Sequence, residues 1–512
     1  MAGCLKDRID KRYLIAILCF FGLANAYVMR FCLSIALTKM VIAHNPGNYT
    51  KFSDNEFDYC PNTNDNKTAS ISEGTVNENI STGGGGEFDW SEAAQKAIES
   101  AFFWGYLLSQ VPGGLLAERI GGKHTLSVGI LISTVGTLLT PLAAREGDVL
   151  GLIEVRIIMG IGQGLVYPSL NVILANWAPT EERGRLGAIV FSGANLGSVV
   201  ALGLSGIILS WCDGAWPGLF YVYGLMGLLW LAVWCRVGHN SPTDDPTLSD
   251  RERLHLIKYH EEAKLQAMTV IPWGSILTCI PLWGLIVSQI GHDWGLFVMN
   301  TDLPRYMKNV MHFTIAQNGL LSAIPHLLMW LTAIASGWWV DSILIRKVHS
   351  VSATRKLFTT VSSLGPALGI IGAAYAGCNR FVVISLIAIG MSFMGCFYPS
   401  LKVNPLDLSP NYAGTLMALV NGIGAVSGVF IPYINGLFVT HNTLNQWQVV
   451  FLLSAFILIV TNVFYLITGS AEIQPWNDPK YTEKMEEIRY DKYKNSVNGL
   501  PPTGFLNPMS AS

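Results

Sequence analysis

Residues 114–123 read Gly114-Leu-Leu-Ala-Glu118-Arg119-Ile-Gly121-Gly-Lys123 and lie between two long apolar segments. A related stretch, Gly337-Trp-Trp-Val-Asp341, lies in the second part of the chain and is followed by basic residues. In both stretches a glycine precedes an acid by four positions. A small residue lets two helices approach closely, and an acid at a helix end can pair with basic groups in one conformation and release them in another. The repetition predicts two related halves; the alternative interpretation is a pair of ordinary charged turns.

Apolar segments fill most of the remaining chain. Of its 512 residues, 51% are hydrophobic and 13% are charged, whereas about a quarter of the residues of a soluble protein are charged. The mean hydropathy is +0.39. A helix needs about 20 mostly apolar residues to cross a bilayer. Twelve segments meet this requirement, at 13–42, 92–117, 124–144, 149–175, 186–210, 217–236, 274–299, 317–340, 357–377, 381–402, 413–438 and 448–469.

A charged linker at 237–273 divides these segments six and six. The pattern predicts an all-α membrane protein with twelve transmembrane helices in two pseudo-symmetric six-helix bundles, at 13–236 and 274–470. Residues 1–12 are expected to form an N-terminal tail, and the polar residues 471–512 a disordered C-terminal tail. The first segment is too long for a signal-peptide core and ends without a small-residue cleavage site, so it is expected to be retained.

Basic residues concentrate in alternate loops, on the side that carries both tails and the linker. The positive-inside rule makes this side cytoplasmic. Three glycosylation sequons, at Asn48, Asn66 and Asn79, all lie in the loop 43–91 on the predicted outer side. We therefore expect a multi-pass membrane protein with both termini in the cytoplasm, in the plasma membrane or in a lysosomal or vesicular membrane.

Nine cysteines lie mostly inside apolar segments, and no pair has the CxxC spacing of a redox or metal site. Cys60, Cys212 and Cys378 are the three expected on the outer side. Whether any of them forms a disulfide stays open at this point.

Ionisable residues inside membrane spans are costly and therefore indicate function. Arg30 lies deep in the first span and Arg156 in the fourth. A guanidinium group stays charged and needs an anion, so a substrate carboxylate or phosphate is one expected partner. The alternative is a structural ion pair, which Glu99 or Asp293 would supply for Arg30.

Three further residues are candidates for ion coupling. Glu99 precedes the aromatic run 102–106, so we expect its carboxyl group to be partly desolvated and suited to carry a proton; a pair with Lys96 is the alternative. His292 and Asp293 lie together in the seventh span. A histidine can titrate near physiological pH, but the two residues would also serve as a helix-stabilising polar pair.

Composition and motifs argue against other classes of protein. The net charge of -2 provides no basic surface for nucleic acid. No GxSxG, HExxH, Walker loop or metal-ligand cluster occurs, so we expect no enzyme, no resident cofactor and no metal site. His239 and Asp244 have the HxxxxD spacing of some acyltransferases, but Pro242 lies between them in the short polar linker. An acyltransferase is kept as a rival hypothesis.

The stretches 102–114, 167–183 and 404–414 resemble the anion:cation symporters of the major facilitator superfamily, a group that includes sialin, the vesicular glutamate transporters and the type I sodium/phosphate cotransporters. The loop at 114–123 resembles the signature G-x-x-x-D-R-x-G-R/K-K/R of the superfamily, with Glu118 in place of the usual Asp and Gly122 in place of a basic residue. The sequence at 291–295 is most similar to invertebrate members labelled inorganic phosphate cotransporters.

This resemblance implies that Arg30 and Arg156 bind an anionic substrate. It adds His292 to the substrate site, because His292 matches the arginine of the vesicular glutamate transporters in the seventh span. Glu99 stands where those transporters carry a histidine, and Gln163 replaces the acid that relatives use in proton coupling. Ion coupling is therefore assigned to Glu99, His292 and Asp293, and the conformational switch to Gly114, Glu118, Arg119, Gly121, Lys123 and Asp341.

The expected function is secondary active transport of small anions, inorganic phosphate or organic anions, by alternating access with co-transported Na+ or H+. One alternative is a sialin-like, proton-coupled transporter of acidic sugars or amino acids in lysosomes or vesicles. Another is a membrane receptor that does not transport. The expected partners are a small anion and the lipid bilayer, and the protein is expected to function as a monomer.

Overall fold

The computed structural model describes residues 10–42, 86–211, 216–262, 271–299, 303, 306–307, 310–311, 315–439, 443–478 and 481. The sequons at Asn48, Asn66 and Asn79 lie outside these residues. Within them the secondary structure is helical, apart from turns and an isolated bridge between Val41 and Phe88. The helices in chain order are α1 (Lys11–Met40), α2 (Glu92–Ile120), α3 (Gly122–Gly164), α4 (Val166–Trp177), α5 (Arg183–Trp211), α6 (Trp216–Val237), α7 (Asp250–Glu262), α8 (Trp273–Leu277), α9 (Ile280–Phe297), α10 (Ile315–Ile345), α11 (Val351–Tyr375), α12 (Arg380–Met394), α13 (Asn404–Leu408), α14 (Ala413–Phe438) and α15 (Leu444–Thr468).

Polar side chains set several helix starts. Ser91 accepts a hydrogen bond from the amide of Ala94 at the start of α2, and Ser350 accepts one from Ala353 at the start of α11. Thr443 opens α15 with a capping box. These bonds satisfy amide groups that have no partner inside the helix.

The helix α3 turns back on itself at Asp148, whose φ of 50° and ψ of -141° are not helical. The segments before and after this turn pack side by side, since a Cβ on Gly129 would stand 2.6 Å from the carbonyl oxygen of Gly162. The stretch 122–177 therefore holds two crossings.

Nine helical stretches among the described residues are long and apolar enough to span a membrane. With the second crossing in 122–177, and with α2 and α9, the described helices are consistent with the twelve spans predicted. Leu108, Leu229, Leu368, Phe381 and Ile467 lie on the outer surface of the bundle and are more than two-thirds exposed. An apolar outer surface of this kind suits contact with lipid.

The helices α1–α6 form one half of the molecule and α9–α15 the other. The halves meet mainly along three helix pairs, α5 with α10, α2 with α14 and α4 with α14. The start of α1 at Lys11 and the end of α15 at Thr468 lie at one end of the bundle, together with the linker helix α7. We call this end the terminal face, and the other end, with Asp148 and Trp216, the opposite face.

Candidate functional site

Arg30 lies in the middle of α1 and is only 5% exposed. Its guanidinium carbon lies 4.6 Å from the ring centroid of Phe102, 4.7 Å from Phe103, 5.1 Å from Tyr106, 5.5 Å from Phe31 and 5.6 Å from Tyr27. Cations are attracted to aromatic faces at such distances. Among the described residues, no carboxylate pairs with Arg30, and its Nε has no hydrogen-bond partner.

Arg156 lies beside Arg30, on the second crossing of α3, and is also 5% exposed. It donates from both terminal nitrogens to the carbonyl oxygen of Arg30, at 3.3 and 3.4 Å. Its guanidinium carbon lies 5.1 Å from the centroid of Phe102. Two charged groups therefore lie around one phenyl ring, and the described residues give neither of them an ion pair.

Glu99 lies on α2, one turn before Phe102. Its side chain is exposed, which differs from the partial desolvation that the sequence led us to expect. The reason is its position on the helix, since Ile98 and Phe102 occupy the buried face. Glu99 is within electrostatic range of Arg156. Gln163 donates a hydrogen bond of 2.8 Å to the carbonyl of Ala26 and so ties α3 to α1.

His292 and Asp293 lie on α9 and are both buried. The ring of His292 stacks on Phe397 with a centroid distance of 3.5 Å and an interplanar angle of 3°. Neither of its ring nitrogens has a hydrogen-bond partner among the described residues. Asp293 accepts a hydrogen bond of 2.9 Å from Gln289, and its carboxylate is within electrostatic range of Arg30.

Lys402 is a buried cation that the sequence argument did not single out. It lies where the helix α12 has ended at Met394 and the chain passes through turns before α13. Its ammonium group donates to Asn421 Oδ1 at 2.6 Å, lies 4.3 Å from the ring centroid of Tyr167 and is within electrostatic range of Asp293. Lys402 is the last residue of the predicted span 381–402, where a lysine normally marks the membrane boundary, so no signal in the sequence indicated its burial.

The acids of the two glycine-acid repeats have equivalent roles at the terminal face. Glu118 on α2 accepts hydrogen bonds from Thr415, at 2.6 Å from the amide and 2.7 Å from the hydroxyl, at the start of α14. Asp341 on α10 accepts one of 2.9 Å from the amide of Arg185, at the start of α5. Each acid therefore caps a helix of the other half, where the helix dipole favours negative charge.

The glycines of the repeats permit this approach. A Cβ on Gly114 would stand 2.8 Å from the carbonyl oxygen of Gly414, and one on Gly337 would stand 2.7 Å from the Cβ of Ala188. Both glycines thus lie at a contact between the halves, where a side chain would force the helices apart.

A second link at the terminal face is a buried set of charges that we call the gate triad: Arg183, Asp407 and Arg355. Asp407 pairs with Arg183 on one oxygen and with Arg355 on the other, each at 2.8 Å. All three residues are at most 3% exposed. Arg183 and Asp407 lie in the stretches 167–183 and 404–414 that carry the family resemblance, but their pairing was not predicted.

The remaining switch residues lie at the turn between α2 and α3. Gly121 has a φ of 100°, and the amide of Lys123 donates to Asn240 Oδ1 at 2.8 Å. Arg119 is exposed. In the linker, His239 lies 3.3 Å from Asp245 rather than pairing with Asp244, which is exposed.

Cys378, in the turn between α11 and α12, is disulfide-bonded, and its partner lies outside the described residues. Cys19, Cys32, Cys235, Cys279 and Cys396 are free. Among the described residues, no group of three or more His, Cys, Asp or Glu side chains is arranged to hold a metal ion.

Comparisons with known proteins agree with this architecture. The sequence model of the Major Facilitator Superfamily matches residues 19–432. A Drosophila melanogaster protein named "Putative inorganic phosphate cotransporter" is 35% identical over 93% of this chain and 88% of its own length. Sialin of Homo sapiens is 33% identical over 91% of this chain and 90% of its own. Vesicular glutamate transporter 2 of Homo sapiens is 30% identical over 98% of this chain and 81% of its own.

Among solved structures, the proton:xylose symporter XylE bound to 6-bromo-6-deoxy-D-glucose superposes with a TM-score of 0.64. It covers 90% of this chain and 96% of its own, at 15% identity. A likeness at this identity concerns the fold alone, and it confirms the fold class predicted from the sequence.

Proposed function

The chain belongs to the major facilitator superfamily, in the group of sialin, the vesicular glutamate transporters and the phosphate cotransporters, and we propose that this secondary transporter carries small anions by alternating access. The observation that carries the proposal is the pair of buried guanidinium groups, Arg30 and Arg156, around Phe102. No ion pair in the described part of the chain neutralises either group.

Chemistry favours an anion at this place. Burying a charge without a partner is costly, and breaking a buried pair typically costs about 3–5 kcal/mol. A bound carboxylate or phosphate offers two oxygens that match the planar guanidinium fork. The surrounding aromatic rings keep water from solvating the guanidinium of Arg30, so an anion that enters would meet a strong local attraction.

Alternating access is supported by where the halves are joined. In the described part of the chain, the hydrogen bonds between the halves lie at the terminal face and around the central site. The central site is therefore shut off from the terminal face. Opening towards that face would require Glu118 to release Thr415, Asp341 to release Arg185 and the gate triad to separate.

We assign the terminal face to the cytoplasm. The basic residues of both tails and the linker lie on that side, and the positive-inside rule supports the assignment. The disulfide at Cys378 lies on the other side of the predicted membrane, and disulfides persist in extracellular or lumenal environments. The sequons, which lie outside the described residues, are predicted on the same outer side. Plasma, lysosomal and vesicular membranes all agree with this orientation.

For the co-transported ion we keep both Na+ and H+. Asp293 is a buried carboxyl group within electrostatic range of Arg30 and Lys402, and His292 beside it has two ring nitrogens without partners among the described residues. Glu99, exposed beside Arg156, is the third candidate. The relatives are named for inorganic phosphate and for glutamate, and both anions suit two arginines.

The test is uptake of radiolabelled phosphate, glutamate and sialic acid into proteoliposomes under an imposed Na+ or H+ gradient. We expect saturable uptake of at least one anion, loss of that uptake in Arg30→Gln, and normal uptake in Arg346→Gln, which removes an exposed arginine at the terminal face. Glu99→Gln identifies the coupling group, because it uncouples uptake from a proton gradient only if Glu99 carries the proton. Absence of uptake for every anion would overturn the proposal in favour of a receptor.

A further inference from the structure

We propose that Lys402 binds the transported anion together with Arg30, and that the site therefore prefers small dianions, such as a dicarboxylate or hydrogen phosphate, to matched monoanions. This inference rests on the proposed transport of anions. It assigns to the second half of the molecule a cation that completes the site formed by Arg30 and Arg156 in the first half. We call these three residues the central cations.

Two chains of contacts link Lys402 to Arg30. In the first, Lys402 donates to Asn421 at 2.6 Å, Asn421 donates to the hydroxyl of Tyr106 at 2.6 Å, and the ring of Tyr106 faces Arg30 at 5.1 Å. Tyr106 belongs to the first half and Asn421 to the second. The two cations therefore flank one pair of polar residues at the seam between the halves.

The second chain passes through two tyrosines of the first half. Lys402 lies 4.3 Å from the ring of Tyr167, the hydroxyls of Tyr167 and Tyr27 are 2.9 Å apart, and Arg30 lies 5.6 Å from the ring of Tyr27. The two chains close a ring of side chains that has a cation at each end. Three tyrosine hydroxyls and one amide supply the polar groups of that ring.

The charges of this ring are not balanced. Lys402 is 3% exposed, and Arg30 and Arg156 are 5% exposed. Asp293 is the one acid that the described residues place within electrostatic range of both Arg30 and Lys402, and it forms a hydrogen bond with Gln289 instead of an ion pair. Arg30 and Lys402 thus have one buried carboxylate between them, and Glu99, which is within electrostatic range of Arg156, is exposed. The buried part of the site therefore carries an excess of positive charge, and an anion with one negative charge for Arg30 and one for Lys402 would balance it best.

Lys402 has capacity for a ligand. An ammonium group has three donors, and in the described part of the chain one of them is used, by Asn421. Lys402 can therefore keep this bond and donate to an anion as well. An anion held by Arg30 at one end and by Lys402 at the other would join the two halves.

A structural role for Lys402 makes a different prediction. If the lysine served only to hold the turns before α13 through Asn421 and Tyr167, its loss would weaken the binding of every anion to the same extent. If Lys402 binds the anion, its loss weakens the binding of the dianion in a matched pair and leaves the binding of the monoanion unchanged. The difference within a pair therefore separates the two roles.

The experiment compares two pairs of anions as inhibitors of uptake at pH 7.5, with whichever anion the wild-type protein carries as the reporter. The pairs are succinate with succinamate, which replaces one carboxylate by an amide, and inorganic phosphate with dimethyl phosphate. The variants are Lys402→Gln, Lys402→Met as a second neutral side chain, Lys402→Arg, and Lys347→Gln, which removes an exposed lysine.

We expect the wild-type protein to bind the dianion at least ten times more tightly than the monoanion in one pair or in both, the pair that responds identifying carboxylate or phosphate chemistry. This preference should fall to about twofold or less in both neutral variants and persist in Lys402→Arg and Lys347→Gln. Wild-type uptake without a preference for dianions would overturn the inference and leave anion transport intact. An unchanged preference in Lys402→Gln and Lys402→Met would also overturn the inference and leave anion transport intact. Absence of any anion uptake would overturn the proposed function itself.

Discussion

The terminal face and the central site both bury charges between the halves, but they balance those charges differently. In the gate triad, the carboxylate of Asp407 is shared by two guanidinium groups at 2.8 Å, and Glu118 and Asp341 each cap a helix of the opposite half. The central cations have no ion pair in the described part of the chain. Paired charges hold one conformation, whereas unpaired charges are available to a ligand. Mutations should therefore affect the stability of the first region and ligand binding in the second.

The largest expected effect follows from Asp407→Asn. This change leaves Arg183 and Arg355 buried without a carboxylate, and breaking a buried pair of this kind costs about 3–5 kcal/mol. We expect a large fall in the melting temperature of the detergent-solubilised protein, measured by tryptophan fluorescence. The matched control is Arg145→Ala at the exposed pair with Glu87, where about 0–1 kcal/mol is expected. Equal melting temperatures for the two variants would contradict the role of the triad.

Arg156→Gln tests the central site, where a mutation should affect ligand binding rather than stability. A hydrogen bond to a charged group contributes about 1.5–3 kcal/mol, so we expect the KM for anion uptake to rise by about 10- to 100-fold. The melting temperature should stay close to that of the wild type, because removal of a buried charge that has no ion pair among the described residues offsets the loss of its two long hydrogen bonds to the carbonyl of Arg30. A variant with a much lower melting temperature and an unchanged KM would show that Arg156 is structural.

Glu118→Gln is expected to have a smaller effect, on conformation. The amide can still accept a bond from Thr415, but it loses the charge that strengthens this bond and favours the helix N-terminus, a difference of about 1 kcal/mol. We expect the population open at the terminal face to increase several-fold. Electron paramagnetic resonance distances between spin labels at Ile120 and Val348, which are both exposed, would measure this population. Glu181→Gln, an exposed acid at the same face, should leave the distances unchanged.

The smallest effect concerns the linker. Burial raises the pKa of Asp245, but hydrogen bonds from Thr247 and Lys11 outweigh burial, so its pKa lies below the usual 3.8. A carboxyl group with a lowered pKa stabilises the folded state above its unfolded pKa, and this contribution is lost as the pH falls through the folded pKa. We expect hydrogen exchange near Thr247 to be constant from pH 8 to about 5, after correction for the intrinsic rate, and to increase only below about 4. Asp245→Asn should exchange faster than the wild type above about pH 5, and the two proteins should converge below the folded pKa of Asp245. Equal exchange of the two proteins at pH 7 would refute this account.

The sequence predicted the charges that stand alone in apolar runs. Arg30, Arg156 and the pair His292-Asp293 were found in this way, because a charge inside a span is visible without knowledge of its neighbours. The structure brings Arg30 and Arg156 around one phenyl ring. The side of α2 on which Glu99 lies was misjudged, since Phe102 and Tyr106 line the buried face of the helix while Glu99 and Trp104 are exposed.

Lys402 and the gate triad were beyond the reach of the sequence argument. Lys402 stands at the end of an apolar run, where a lysine normally marks the membrane boundary, and it is buried because α12 stops early and turns carry the chain inward. Arg183 and Asp407 are 224 residues apart, and only the packing of the two halves brings them into contact. Local patterns do not encode such pairings.

The account depends most directly on the claim that the central cations are balanced by a ligand. The decisive measurement is the melting temperature of the wild-type protein and of Arg30→Gln, each with and without a saturating concentration of the anion that the wild type transports. A ligand that binds the folded state at 100 times its Kd stabilises it by about 2.7 kcal/mol. The account predicts that the wild type gains this stability, that unliganded Arg30→Gln melts no lower than the unliganded wild type, and that the anion does not stabilise it. A variant that melts well below the wild type but gains the same stability from the anion would contradict the claim.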